Sequence, residues 1–326
     1  MRVAEIQNDI IVTNTKDDES LNDRKGAIVK VLGCGLCGSD IVKLKQKLVK
    51  NGTVLGHEIV AQIVEINTDT NFKKDDVIVT SHHIPCGKCE FCKNGNVSMC
   101  RHFKQTNIFP GGFSELVFVS EEHLQNVAYI KPQNLTNEEA SFYEPLACCI
   151  RAVKRTNLKE NSTALVIGLG SIGILMAQAL KAFGMKVIGC DLISSRVQLL
   201  KNLGIEAFTL NEMCESIKAD GIFMTSGSDK AIDTALKFVR DGGKILVFSS
   251  TPQNFGYANN EIYYRELTVL GSYSPAPIDL KNSLELLATK QVKVSNLSTI
   301  YSLDDVQKAI DDTLANKIMK AYIEIK

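Results

Sequence analysis

Apolar and polar positions follow two different rhythms along this chain. Up to about residue 140 the apolar positions fall in short, β-branched, alternating runs: AIVKVLGCG (27–35), HEIVAQIVEI (57–66), DDVIVTS (75–81) and GGFSELVFV (111–119). Such alternation predicts strands with one buried face. From about residue 161, unbroken apolar runs take turns with segments of helical period. TALVIG (163–168) precedes IGILMAQALKAF (172–183), and KVIGCD (186–191) precedes SSRVQLLKNLG (194–204). GIFMTSG (221–227) is then followed by KAIDTALKFVR (230–240), a DGG turn (241–243) and KILVFSS (244–250). Strand–helix alternation at this spacing predicts a parallel sheet covered on both faces. The last fifty residues hold LTVLGSY (267–273), a helix DLKNSLELLATK (279–290), and a helix starting at Ser302 with Asp305 in a capping box. No solenoid-length repeat or low-complexity linker interrupts the pattern.

At 326 residues the chain is too long for one ordinary core and suits two domains. It is 44% hydrophobic and 23% charged, which excludes a disordered or fibrous chain. Lys+Arg and Asp+Glu both number 37, so there is no basic excess to meet phosphates, and neither nucleic acid nor a membrane surface is expected as a partner. The opening MRVAEIQNDIIV has no apolar leader region, and no run approaches the ~20 apolar residues of a membrane span. A cytoplasmic protein is expected.

Ten cysteines change the picture, because in a reducing compartment clustered cysteines bind metal or do chemistry. Cys86, Cys89, Cys92 and Cys100 form C-x2-C-x2-C-x7-C, with Gly87 and Gly95 relieving the turns. Four thiolates with no open position make a structural zinc site that ties down a loop lacking its own core. A bacterial iron–sulfur run would close C-x3-C-P, whereas here the last gap is seven residues and Arg101 follows. Cys148, Cys149, Cys190 and Cys214 lie in apolar or mixed runs and are expected to pack as small hydrophobes.

VIGLGSIG (166–173) places Gly168, Gly170 and Gly173 as G-x-G-x-x-G between a strand and a helix, with Ser171 and Ile172 opening that helix. The first glycine allows a tight turn, the second lets backbone approach a pyrophosphate, and the third lets helix and strand pack closely. Asp191 ends the next strand, 18 residues beyond Gly173. An acid there accepts hydrogen bonds from an adenosine ribose diol and repels a 2′-phosphate, so NAD is expected over NADP. Arg196 either leans over that ribose or is a solvated helix residue.

GLCGSD (35–40), GHE (56–58), PCGKCEFC (85–92), GGFSELVFV, FYEPLA (142–147) and VIGLGSIG occur in one order along the chain. In this combination the sequence resembles the zinc-dependent medium-chain dehydrogenase/reductase family over essentially its whole length. CGSD and YEPLA are more similar to the sorbitol and polyol branch, including polyol-phosphate enzymes, than to simple alcohol dehydrogenases. The resemblance implies an α/β protein: a GroES-like β-rich catalytic domain from residues 1–145 and 275–326, and a Rossmann-type doubly wound parallel sheet from 146–274. It implies two zinc ions per chain, the structural one on the loop 86–100. For the catalytic zinc it implies Cys37 and His57, with Glu144 in the third-ligand position and Glu58 as an exchangeable ligand beside the metal. Asp40 matches the acid that orients the histidine, and Ser39 the hydroxyl that begins the proton relay. Cys34 matches no ligand and is expected to pack.

The implied reaction moves a hydride between NAD and a secondary alcohol of a polyol or sugar derivative, with zinc acidifying the hydroxyl. Another alcohol, such as L-threonine or a polyol phosphate, is the alternative, and a non-catalytic zinc and NAD carrier a remoter one. Relatives are homodimers or homotetramers, and LTVLGSY is the candidate pairing edge. Several positions depart from the family pattern. Val42 stands where a relay histidine is common, and Ala61, Asn67 and Asp75 replace family glycines. The lysines 43, 45, 47 and 50 either meet a substrate phosphate or form a solvated surface.

Overall fold

The computed structural model describes residues 1–249 and 259–326, apart from the side chain of Asp229. The expected run 244–250 therefore ends in a residue, Ser250, outside the described set. The chain divides into two compact units. One comprises residues 1–144, 276–288 and 294–326, and the other residues 145–275 and 289–293.

In the first unit the alternating runs form an antiparallel-rich sheet. Its order among the described residues is Ser298–Ser302, Lys320–Glu324, Gly26–Gly35, Glu58–Ile66, Val77–Thr80 and Ala128–Ile130, with Leu116–Ser120 also pairing with Gly26–Gly35. Arg2–Gln7 and Ile10–Thr15 make a separate hairpin. The alternation works as expected: Ala27, Val29, Val31, Ile59, Ala61, Ile63, Ile78, Val117 and Val119 are buried in one core. Full burial of the valines and isoleucines among these stabilises by about 1.5–3 kcal/mol each. The chain's C-terminal strand completes this sheet, with Tyr322 opposite Gly35 and Ile323 opposite Cys34. Gly35 in turn faces Glu58 on its other side. Three strands distant in sequence thus meet around one glycine.

In the second unit every strand pair is parallel, in the order Glu206–Thr209, Lys186–Asp191, Thr163–Ile167, Ala219–Met224, Val239–Val247 and Thr268–Gly271 among the described residues. Strand order reverses beside Thr163–Ile167, the place where doubly wound sheets bind ligands. Leu165, Ala219, Ile222 and Ile245 have no exposed surface, as buried parallel strands require. Thr268–Gly271 lies at the sheet edge, paired with Val239–Val247 alone among the described residues.

Several expectations need correction. The DGG turn does not separate helix from strand. The strand begins already at Val239, and Asp241–Gly243 form an irregularity inside it, with Gly242 at φ +68 and the register shifting opposite Ala219 and Gly221. The last helix starts at Val306, after a 3-10 turn Leu303–Asp305. No capping box forms there, because the Asp305 carboxylate takes the Ser302 hydroxyl at 2.5 Å rather than a backbone N–H. Cys214 is exposed, its thiol 2.9 Å from the Ser216 hydroxyl, so it is not a packing residue. Asp75 does adopt the left-handed backbone of the glycine it replaces, at φ +72. Asn67 instead accepts from Gly26 N and donates to the Arg24 carbonyl. No helix among the described residues is long and apolar enough to cross a membrane.

Candidate functional site

The first unit brings Cys37, His57 and Glu58 together, one ligand atom from each lying within 4.8 Å of the others. Each is set by a different local cause. Cys37 is the N-cap of helix Gly38–Lys45, and its sulfur accepts from the Ser39 amide at 3.4 Å and the Ser39 hydroxyl at 3.3 Å. His57 and Glu58 stand at the start of strand Glu58–Ile66, held in register against Gly35.

Asp40 sits behind this group, fully buried. It closes the cap by accepting from Cys37 N and lies 3.3 Å from His57 Nδ1. With Nδ1 turned to a carboxylate, Nε2 is the ring nitrogen left to a metal. Burial alone would pull the His57 pKa down, but the Asp40 carboxylate and the Cys37 sulfur outweigh it and leave it well above the usual value. Burial likewise raises Asp40, and the facing imidazole brings it below the usual carboxylate range. Ser39 is exposed beside the sulfur, where a hydroxyl can exchange protons with solvent.

Glu58 Oε1 is buried without a partner among the described residues, Glu58 Oε2 meets Lys320 Nζ at 2.6 Å, and Asp40 Oδ1 meets only the His57 ring at 3.3 Å. A buried carboxylate oxygen left without a partner is costly unless a cation meets it. A thiolate, an imidazole and a carboxylate are a donor set for zinc with an open position, so the residues fit the metal. Glu144 is buried at the start of helix Tyr143–Thr156 but is not one of the grouped ligands. Of the two carboxylates expected near the metal, Glu58 is the one placed with the cysteine and histidine.

Cys86, Cys89, Cys92 and Cys100 converge in the same way. Sulfurs 2.3 Å from a tetrahedral zinc are separated by about 3.8 Å. The Cys89–Cys92 and Cys86–Cys92 distances, 3.6 and 4.0 Å, bracket that figure. Burial and the neighbouring sulfurs push the Cys92 thiol up to about 12. Cys100, despite its burial, falls to about 6 where backbone N–H groups meet it. A dication at the centre is what would allow all four to ionise.

In the second unit Gly168, at φ +93, makes the turn into helix Ser171–Ala182. A Cβ on Gly173 would lie 1.9 Å from the Gly168 carbonyl, so helix and strand meet only because it is glycine. At Gly170, the N-cap, a Cβ would meet nothing within 4 Å. That open space in front of a helix N-terminus fits a pyrophosphate. Ser171 and Ile172, half-buried, begin the helix. Asp191 accepts from Leu169 N at 2.5 Å and from Ile193 N at 2.8 Å, so it ties the glycine turn to the next strand. Arg196 Nη1 lies 3.8 Å from the same carboxylate.

Sequence reasoning missed two groups beside the metal ligands. Lys320, on the C-terminal strand, is buried and reaches Glu58 Oε2 at 2.6 Å. His82 and His83, just before the four-cysteine loop, stack in series on His57, with ring centroids 4.5 and 3.9 Å apart. The HHIPC string was the only local signal for the pair, and Lys320 had none. Of the four lysines in the run, 45, 47 and 50 are exposed, with Lys47 paired to Asp9, which is the solvated surface; Lys43 is half-buried.

Known proteins resemble this chain over most of its length. The alcohol dehydrogenase GroES-like domain matches residues 23–129, and the zinc-binding dehydrogenase domain residues 171–289. The D-arabitol-phosphate dehydrogenase of Enterococcus avium is 30% identical across 97% of this chain and 92% of its own. The sorbitol dehydrogenase of Bacillus subtilis is 30% identical across 91% and 89%. Among solved structures, galactitol-1-phosphate dehydrogenase from Escherichia coli has a TM-score of 0.87 over 99% of this chain and 100% of that chain. At 22% identity that likeness is one of fold.

Proposed function

Because the chain belongs to the zinc-dependent medium-chain dehydrogenase/reductase family, we propose that it oxidises a secondary alcohol of a polyol, or reduces the matching ketone, with NAD as hydride partner. The observation that carries this reading is the grouping of Cys37, His57 and Glu58 within 4.8 Å, with the buried Glu58 Oε1 left without a partner among the described residues. A non-catalytic zinc protein would have no need of a second, three-ligand site. When bound, zinc supplies a Lewis acid to the substrate oxygen and NAD accepts the hydride.

The chain's own groups do the rest. Cys37, His57 and Glu58 hold the metal, and Asp40 fixes the ring and tautomer of His57. Ser39, exposed and bonded to the Cys37 sulfur, takes the alcohol proton and releases it toward water, since Val42 offers no relay imidazole. Gly170 leaves room for the pyrophosphate, and Asp191 faces the adenosine ribose and disfavours a 2′-phosphate. Glu144, buried at the start of helix Tyr143–Thr156, would be the alternative carboxylate for the metal when Glu58 gives way. A homodimer or homotetramer is the expected assembly, pairing along the edge strand Thr268–Gly271.

The test is NAD reduction across free polyols, polyol phosphates, L-threonine and simple alcohols, repeated after chelation. Chelator-sensitive turnover of one polyol class is expected. Phosphorylated substrates would implicate Lys43, and threonine as the preferred substrate would overturn the polyol assignment. Cys37→Ala should abolish turnover while NADH still binds; undiminished turnover would refute the metal site.

A further inference from the structure

Lys320 opens the strand Lys320–Glu324 and is only 5% exposed. Its ammonium lies 2.6 Å from Glu58 Oε2, donates to the Leu36 carbonyl at 3.2 Å, and stands 5.6 Å from the centre of the Phe142 ring. The backbone bond from Leu36 N to the Ala321 carbonyl, 3.0 Å, fixes the strand that carries it. Glu58 is pinned from the other side of Gly35. The side chains of the pair are 5% and 1% exposed, so neither charge is free to find water instead.

The same carboxylate belongs to the metal-ligand group, and one cation already claims one of its oxygens. Cys37 and Glu58 together carry two negative charges, enough to neutralise a zinc ion. The buried Asp40 carboxylate balances Lys320, a second cation in the same dry pocket, so zinc and ammonium compete for Glu58. By competing for that carboxylate, Lys320 weakens the hold of Glu58 on the metal.

We propose that Lys320 is a positioning residue that shares Glu58 with the catalytic metal, keeping that carboxylate exchangeable and the metal less tightly held than its three ligands alone would hold it. This rests on the reading of Cys37, His57 and Glu58 as a zinc site. Removing the cation gives Glu58 wholly to the metal. The zinc then leaves more slowly, and turnover falls because the ligand no longer gives way to substrate.

The experiment follows zinc release from the full enzyme into a colorimetric chelator at pH 8. Wild type, Lys320→Met, Lys320→Gln and Lys320→Arg are compared, with the four-cysteine zinc as internal reference. The expected result is release of the catalytic zinc slowed about tenfold or more in Lys320→Met and Lys320→Gln, the scale on which outer partners of metal ligands act. The slow cysteine phase should not change, and Lys320→Arg should restore the wild-type rate to within about threefold, since it keeps the charge. In a Glu58→Gln background, Lys320→Met should alter the release rate no further. Lys320→Gln keeps a hydrogen-bonding side chain at the position, so the test stands if Lys320→Met does not fold. Unchanged or faster release in the neutral variants overturns the proposal, leaving Lys320 an ordinary structural support. A wild-type enzyme carrying only the cysteine-bound zinc overturns the metal-site reading itself, and with it this proposal.

Discussion

Replacing Gly35 by alanine tests the metal site through one methyl group. The added Cβ would stand 1.9 Å from Glu58 Oε2, 3.1 Å from Cδ and 3.2 Å from Cβ of the same side chain. A carbon–oxygen contact needs about 3.3 Å, so the carboxylate must retreat by about 1.4 Å. Metal–ligand distances tolerate only about 0.2 Å, and the retreat also opens the 2.6 Å contact with Lys320. A flexible surface glutamate would swing aside at little cost. Glu58, 1% exposed and enclosed by three strands, has nowhere to go. Breaking a buried ion pair from one side costs about 3–5 kcal/mol, and a misplacement of this size at a reacting centre costs on the order of 100-fold in rate. The expected outcome for Gly35→Ala is a fall from two zinc ions per chain toward one and a loss of turnover of about 100-fold, with NADH binding intact. The assays are elemental analysis, steady-state kinetics and fluorescence titration of NADH. Full zinc content together with full turnover would mean that Glu58 is not a ligand and that its carboxylate is free to move.

Other perturbations separate the remaining parts. Cys92→Ser should lose the loop zinc, lowering metal content by about one per chain and the thermal midpoint with it; an unchanged metal count would refute the four-sulfur site. Asp191→Asn should narrow the preference for NAD over NADP in kcat/KM, because it removes the charge that repels a 2′-phosphate while keeping an acceptor for Leu169 N. An unchanged ratio would leave Asp191 as a clamp on the glycine turn only. Burial holds His83 down at about 4 despite its contact with the Thr106 carbonyl. Between that value and the ordinary ~6.5 the unfolded chain binds more protons, so stability present above pH ~6.5 is lost as pH falls toward 4, by about 3 kcal/mol. His83→Asn should flatten the drop in thermal midpoint between pH 7.5 and 5, and an equally steep drop would assign it to other groups.

What could be read from the sequence was local. The four cysteines lie on one loop, and Gly168, Gly170 and Gly173 on one turn, so spacing alone fixes their geometry. Burial followed alternation in runs such as 27–35 and 57–66 because the strand period is enforced by the pleat. What could not be read was contact at long range. Lys320 lies 262 residues after Glu58, and KIMKAYIEIK gives no sign that one of its lysines is buried. The third ligand was open for the same reason: YEPLA and GHE each offer a carboxylate, and only strand register places Glu58 with Cys37 and His57. The false capping box at Ser302 was an error of another kind. The residue types were right, but a serine hydroxyl and an aspartate satisfied each other directly.

The Lys320–Glu324 strand lies between Gly26–Gly35 and Ser298–Ser302, yet the second unit falls almost wholly between these segments in the chain. On the ribosome, residues 145–275 can emerge and fold as a near-continuous block. The first unit must wait, its Gly33–Gly35 edge unpaired and Glu58 without its cation, until the C-terminal strand leaves the exit tunnel. During that interval the open edge is a site for pairing with another nascent chain. The metal ligands are all made before the second unit, whereas Lys320, the last piece of their surroundings, follows it in the chain.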